Sequence, residues 1–574
     1  FKNSEGTVNT AVGANSLVCN TTGLGNTAVG TSSLGCNCTT DYSTAVGYLS
    51  LRCSTGARNV GIGVSAGCRN SGSCNTFVGY EAGRFNCEAV RVTALGYQAL
   101  GSACNCGCNI TAVGALALRS NTTGNGNQAF GYQTLECNTT GCINTAVGQG
   151  ALLQNVSGNL NVGIGSSAGS CNCTGHCNTS IGTNAGKGDQ SGGCNISIGP
   201  LAACKGNGVC QNIAIGTCSL FLNASGSDNL MMGHLAGYAT NAHNNIGIGT
   251  GALQCNDSGI QNVIIGRCAA QQNTSGGYNT ALGGSAFKNN TTGGFNVAIG
   301  NVALLCNTNA SNNVAVGYGA AYNNTTASGT VAIGFYANYN NCTGIFNTTL
   351  GAQAMQCNTG ACNTALGYCA LHSNSNSTRN TAVGMKAGVS NTTGACNTIV
   401  GSEALLLNST GSSNVAVGQA AMYANTCGTD NVALGVHSLY NNTTACYNVG
   451  VGRCALFCTS TGIWNTSVGY MAGYGVSTGA QNVNLGGYAG ECNGAAGCNT
   501  YIGFAAGRFN TCPNNVVLGF NSARCLANGS TTLSCASSGV YIGDSVRGCA
   551  NGEVNAIAIG YGTCSCGSNT VNIG

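Results

Sequence analysis

Asn9-Thr10-Ala11-Val12-Gly13 decides how this chain folds, because close variants of the stretch return about every seventeen residues to the last residue. Asn26 to Gly30, Asn144 to Gly148, Asn279 to Gly283, Asn380 to Gly384 and Asn465 to Gly469 are further copies, and Asn569 to Gly574 is a looser one. The closing glycines, Gly13, Gly30, Gly47, Gly63, Gly79, Gly96, Gly114, Gly131, Gly148, Gly165 and so on, give about 34 rungs. The rhythm skips once, from Gly519 to Gly543. The organisation expected is one continuous array over residues 1–525, an irregular insertion over 526–542 and final repeats over 543–574, which cap the array or continue beyond it.

The residues before each glycine are small in the middle and β-branched or aliphatic on either side, as in Val162-Gly163-Ile164, Ile213-Ala214-Ile215 and Val314-Ala315-Val316. Such a run is a short strand. A second apolar pair follows, at Ser16-Leu17, Ala99-Leu100, Ala151-Leu152 and Ala404-Leu405, and then a polar loop such as Asn121-Thr122-Thr123-Gly124. The reading is strand, glycine corner, second strand and turn. Glycine at every corner argues against a helix, and about seventeen residues cannot hold a βαβ unit. The expected fold is all-β, a parallel β-solenoid of about 34 coils that stack at about 4.8 Å into a rod of roughly 160 Å. Because the strand is apolar on both faces, the second face is expected to be covered as well. Three coils packed around an axis would cover it, and so would a flattened coil with facing sheets.

Composition narrows the function. Only 5% of the chain is charged, with 17 Lys and Arg against 13 Asp and Glu, so neither nucleic acid nor an anionic membrane has an electrostatic case. No stretch approaches the length of a membrane span, and no signal peptide opens the sequence; a mature chain or part of a longer one is expected. The 39 Cys point to an oxidising compartment, and their odd number leaves at least one thiol free or bonded elsewhere.

Two sets of residues recur outside the strands. Asn20, Asn121, Asn138, Asn155, Asn223, Asn256, Asn273, Asn290, Asn391, Asn408 and Asn442 each precede a Ser or Thr by two positions, where the chain should be an exposed turn. They are expected to carry N-linked glycans at partial occupancy; turn formation and stacked amide ladders would select the same residues without sugar. The second set brackets the turns: Cys68 with Cys74, Cys137 with Cys142, Cys171 with Cys177, Cys204 with Cys210, Cys357 with Cys362 and Cys492 with Cys498 are candidate disulfides. Cys19, Cys36 and Cys53 share one phase on successive rungs, so bridges between rungs or chains are equally allowed. Cys104-x-Cys106-x-Cys108 and His176-Cys177 prompt a zinc reading, but their spacing is not that of a ribbon or finger. The five His are scattered, the acidic residues form no recurring pair and no phosphate-loop motif occurs, so no catalytic residue, metal or cofactor is assigned. Tyr48, Tyr80, Tyr97, Tyr132, Tyr318, Tyr368 and Tyr470, with Phe335, Phe504 and Phe520, follow corner glycines and form a partial aromatic column, for packing or for contact with sugars or other fibres.

The NTAVG, SIGT, NVAIG and VGIG units resemble the head repeats of trimeric autotransporter adhesins and similar repeats of phage tail fibres. That resemblance implies a left-handed parallel β-roll assembled as a homotrimer; the period here is longer and the loops are richer in Cys. The expectation is a non-enzymatic structural subunit of an extracellular filament, fibre or appendage, on a cell or virion surface. It would self-associate as a homotrimer or end to end, be stapled by disulfides and be coated with sugar. An adhesin or receptor-binding fibre stalk is the alternative. Ice binding comes third, because the Thr column, interrupted by Val and Ile, suits a buried position.

Overall fold

The computed structural model describes residues 5–101, 104–526 and 532–574. Every regular element among them is a β-strand. The chain forms two compact units, Phe1–Thr292 and Gly293–Gly574, divided where the sequence gives no boundary signal. Each is a parallel β-solenoid built from the same coil.

Counting the strand-opening Asn as coil position 1, the strand occupies positions 2 to 4 and the corner glycine position 5. Thr10–Val12 lies parallel to Thr27–Val29, with Thr10 opposite Thr27, Ala11 opposite Ala28 and Val12 opposite Val29. The same register holds between Thr145–Val147 and Val162–Ile164 in the first unit, and between Val415–Val417 and Val432–Leu434 in the second. Like residues thus stack in columns, and among the described residues each unit contributes 17 such strands, one per coil.

The second apolar pair is not a strand. Between the corner glycine and the next Asn the chain enters the left-handed region three times, at position 7 (Asn15 φ +57°, Gln133 φ +57°), at position 9 (Leu17 φ +47°, Leu152 φ +50°, Leu405 φ +51°) and just before the next Asn (Ile143 φ +57°, Leu160 φ +59°). A left-handed residue with a side chain costs roughly 1–2 kcal/mol. Here the spiral turns the position-9 leucine inward, where Leu17, Leu152 and Leu405 are at most 1% exposed, and burial of a leucine contributes about 1.5–3 kcal/mol.

Positions 3 and 9 share one interior volume. In many coils position 3 is Ala and position 9 a large side chain, as at Ala28 with Leu34, Ala146 with Leu152 and Ala416 with Met422. At the aromatic residues Phe77 and Tyr501, position 9 is glycine on both sides, whereas the smaller Ile264 lies between Leu253 and Ala270. A Cβ on Gly67 or Gly83 would lie 2.6 or 2.1 Å from the Phe77 ring, and one on Gly490 or Gly507 2.7 Å from Tyr501. At Ser180 the paired glycines occur without a large residue to use their space. Gly169 and Gly186 flank Ser180, with Ser197 above, and a cavity of about 20 Å³ opens there, lined also by Leu152 and Asp189. Ser180 and Ser197 are 4% and 2% exposed.

Beyond Gly519 the ladder resumes earlier than the sequence suggests. Val540–Ile542, placed by the repeat count inside the insertion over 526–542, pairs in register with Val516–Leu518. The inserted segment is tied down by Cys512–Cys535 and by buried Leu533 and Ala536; residues 527–531 lie outside those described.

Ser180 stands to Gly169 and Gly186 as Phe77 stands to Gly67 and Gly83. Ser180→Ile should therefore fill the cavity and stabilise these coils by about 1 kcal/mol. Hydrogen exchange in Val162–Ile164 and Thr179–Ile181 should slow roughly fivefold; faster exchange would refute the shared-volume rule.

Candidate functional site

The outer face of the strand is the most extensive feature the coil presents. Position 3 points inward, so positions 2 and 4 point out. Val147 is 38% exposed, Ile164 39%, Leu366 40% and Val468 39%, while their position-2 neighbours, such as Thr145 and Val162, are half-buried. The Thr and Val column expected to be buried therefore faces outward, and the second strand face is not covered within the chain. At position 6 the aromatic column continues this surface, with Tyr80, Tyr97, Phe335 and Phe504 all exposed. Tyr80 stacks on Tyr97 at 5.3 Å between ring centroids, Tyr318 on Phe335 at 5.7 Å and Phe504 on Phe520 at 5.5 Å. Rings stacked face to face along a column offer their edges to solvent, which disfavours sugar binding through ring faces.

A second aromatic column lies at position 10, where Tyr423, Tyr440, Phe457 and Tyr474 stack at 5.0 Å per step. Sequence reading missed it, although aromatic residues spaced by one repeat signal it plainly.

The sequon asparagines are not on exposed turns. All of Asn20, Asn121, Asn138, Asn155, Asn223, Asn256, Asn273, Asn290, Asn391, Asn408 and Asn442 are at most 1% exposed. Their side chains close the turn from inside: Asn138 Nδ2 donates to Asn121 Oδ1 at 2.7 Å and to the Gly141 carbonyl at 3.0 Å, and Asn155 Nδ2 donates to Asn138 Oδ1 at 2.8 Å. The same ladder links Asn256 with Asn273 and Asn290, and Asn391 with Asn408. A glycan needs the Nδ2 atom that the ladder uses, together with open space beside it, so the folded coil excludes sugar at these positions. Position 1 forms a second ladder. Asn144 donates from Nδ2 to the Gly158 carbonyl at 2.8 Å and accepts at Oδ1 from the Asn161 amide at 2.9 Å.

The cysteines are deployed along the stack, not across a turn. Cys68, Cys74, Cys137, Cys142, Cys171, Cys177, Cys204, Cys210, Cys357, Cys362, Cys492 and Cys498 are all unbonded. The disulfides among the described residues, Cys87–Cys104 and Cys512–Cys535, join segments 17 and 23 residues apart. Position 16 explains part of this. Its side chain accepts the position-16 amide of the preceding coil, a task shared by Asn159 Oδ1, Ser227 Oγ, His176 Nδ1, Cys142 Sγ and Cys210 Sγ. Cys142 and Cys210 are thereby engaged with the preceding coil. His176 and His243 serve as acceptors of the same kind.

Asp189 occupies the sequon column as the one acid there among the described residues. It is 7% exposed, accepting at Oδ1 from the amides of Gly192 (2.8 Å) and Gly208 (3.0 Å) and at Oδ2 from Asn195 Nδ2 (2.9 Å). Burial raises its carboxyl above the ordinary value, and the hydrogen bonds only partly offset this. Among the described residues no group of three or more His, Cys, Asp or Glu is placed to hold a metal ion, and no helix is long and apolar enough to cross a membrane. No protein-family model matches the chain, and no curated protein matches it.

Asn138→Ala should cost about 1–3 kcal/mol, because it strands buried partners, whereas Thr140→Ala, which destroys the same sequon at an exposed residue, should be nearly neutral. Equal effects in a thermal unfolding comparison would restore sugar as the role of Asn138. The native state binds the Asp189 proton more tightly than the unfolded chain does. That contribution to stability is complete below the unfolded-chain value of 3.8 and is lost as pH rises through the raised native value. Measured against Asp189→Asn, the wild-type chain should lose relative stability as pH increases above 3.8; a flat difference would contradict the burial cause.

Proposed function

We propose that this chain is a non-enzymatic structural subunit that associates side by side with copies of itself in an extracellular filament, fibre or appendage. The observation carrying this reading is the outward strand face, half-exposed in coil after coil and bordered by an aromatic column. Scattered apolar side chains need no explanation on a soluble protein, but a contiguous apolar strip marks an interaction surface. Self-association fits it best, since a surface repeating once per coil matches another surface of the same period, and 5% charge provides little to hold copies apart. A homotrimer, as the likeness to adhesin head repeats suggests, would place three such faces around one axis. Disulfides between segments and the large cysteine content support an oxidising, extracellular setting. An adhesin or fibre stalk would use the same lateral contact and differ in carrying a binding tip. Ice binding regains an outward Thr column but lacks a continuous one, because Gln128, Val162, Ile196 and Leu230 interrupt it.

The test replaces three stacked outward residues by charges of alternating sign, Val147→Lys, Ile164→Glu and Ile181→Lys, so that neighbours within the column attract. Burying the exposed half of each should contribute about 1 kcal/mol. The triple variant should therefore keep its β-sheet circular dichroism while its association weakens more than about a hundredfold by sedimentation. A wild-type chain that sediments as a monomer at all concentrations, or a variant that assembles like wild type, would overturn the proposal.

A further inference from the structure

Cys19, Cys36 and Cys53 stand at coil position 11 in three successive coils, all exposed. The coils are hydrogen-bonded to each other at this position: the Cys36 amide donates to the Arg52 carbonyl at 2.7 Å, and the Cys53 amide to the Cys68 carbonyl at 2.8 Å. Cys36 and Cys53 thus occupy the same place on adjacent coils of one hydrogen-bonded stack. Cys38, the nearest rival in sequence, is engaged elsewhere, with its thiol directed to the Cys36 carbonyl. A bridge between neighbouring coils already exists in the same unit, where Cys87 and Cys104 are joined with their Cα atoms 5.7 Å apart, within the range that a disulfide spans.

We infer that Cys36 and Cys53 are a site of oxidative modification, closing an axial disulfide between adjacent coils by exchange with a small-molecule disulfide. This inference does not depend on self-association. In the first step the Cys36 thiolate attacks one sulfur of the reagent, whose S–S bond breaks; a mixed disulfide forms on Cys36 and one reagent thiolate leaves. In the second, the Cys53 thiolate attacks the Cys36 sulfur, the mixed disulfide breaks and the second reagent thiolate leaves. The two protein thiols are oxidised, the reagent is reduced to two thiols, and both protons lost by the protein end on those thiols. Cys53 is the resolving residue. Packing on one side and the adjacent Cys36 thiol raise it to about 11, so resolution should accelerate about tenfold per pH unit through neutrality. Cys19 is left as a third thiol on the column, able to shift the bond by attacking Cys36.

Trypsin supplies the readout, because cleavage after Arg52 and Arg58 releases Cys53 on the short peptide Cys53–Arg58, while Cys19, Cys36 and Cys38 remain together on the preceding peptide. The full chain is reduced, exposed to oxidised glutathione, quenched in acid, digested and analysed by mass spectrometry, with the monomer band taken from a non-reducing gel. Most Cys53–Arg58 should appear joined to the preceding peptide in wild type, Cys19→Ser and Cys38→Ser, and free or glutathionylated in Cys36→Ser. Release of the peptide unlinked from wild type, survival of the link in Cys36→Ser, or its restriction to a dimer band would each refute the assignment.

Discussion

The fold rests on the close approach of one corner glycine to the next. A Cβ on Gly30 would lie 2.5 Å from the Gly47 carbonyl oxygen, and one on Gly351 would lie 2.4 Å from that of Gly367. No real side chain tolerates such a contact with backbone. Corner φ values near Gly30's +127° add a second reason for glycine. With the corners seated on one another, the strands that precede them have a single register, and Thr10 must face Thr27. A slip by one residue would turn the inward Ala11 column to solvent and bring a β-branched residue into a space sized for alanine.

Once register is fixed, side chains act as columns, and each column has one task. Position 3 and position 9 fill the interior together, so that Phe77 is compatible with the fold only because Gly67 and Gly83 leave it room. Positions 1 and 12 carry buried amide ladders, in which each asparagine satisfies backbone groups of its own and neighbouring coils. These polar ladders replace the apolar residues that a coil of this length cannot supply, and buried polar groups are tolerable because their partners repeat with them. Columns also explain where the structure is imperfect. At Asn442 the ladder stops, with Oδ1 left without a partner among the described residues, because Thr459 occupies the position in the next coil and turns its hydroxyl to the Val476 carbonyl.

The strand, the corner and the period were legible in the sequence because each rests on a residue type with few alternatives: glycine where φ is positive and space is absent, β-branched residues where the chain is extended. The turn between them was not. Leu17 and Leu152 read as strand formers, since nothing about leucine announces a left-handed conformation; the clue is that Gly67, Gly169 and Gly490 replace it at the same coil position. The sequon asparagines were misplaced for a related reason. Asn-Thr-Thr-Gly is the composition of an exposed turn, and only the repetition of Asn121, Asn138 and Asn155 at one coil position distinguishes a stacked amide from a solvated one. Pairing of cysteines by nearness in sequence failed because side chains of this coil meet their counterparts one period away more readily than neighbours on the same turn.

With sugar removed from the sequon column, the question of how so uncharged a surface stays in solution takes a different form. The solvent-facing turn retains the Thr and Ser of positions 13 and 14, whose hydroxyls bond carbonyls of the next coil, as Thr122 does to Thr139 at 2.8 Å and Thr426 to Thr443 at 3.0 Å. These groups are partly spent on stacking and hydrate the surface less than free hydroxyls would. The strand face on another side of the coil is apolar. A chain so constructed has one surface that water accepts and one that water accepts poorly, and the columns keep the two segregated from coil to coil. Segregation is what distinguishes a surface that associates in one direction from one that aggregates in all: the polar turns limit contact to the strand face, and the ladder holds that face in a fixed periodic array. In the monomer that face remains unpaired, and this is the physical ground of the self-association proposed above.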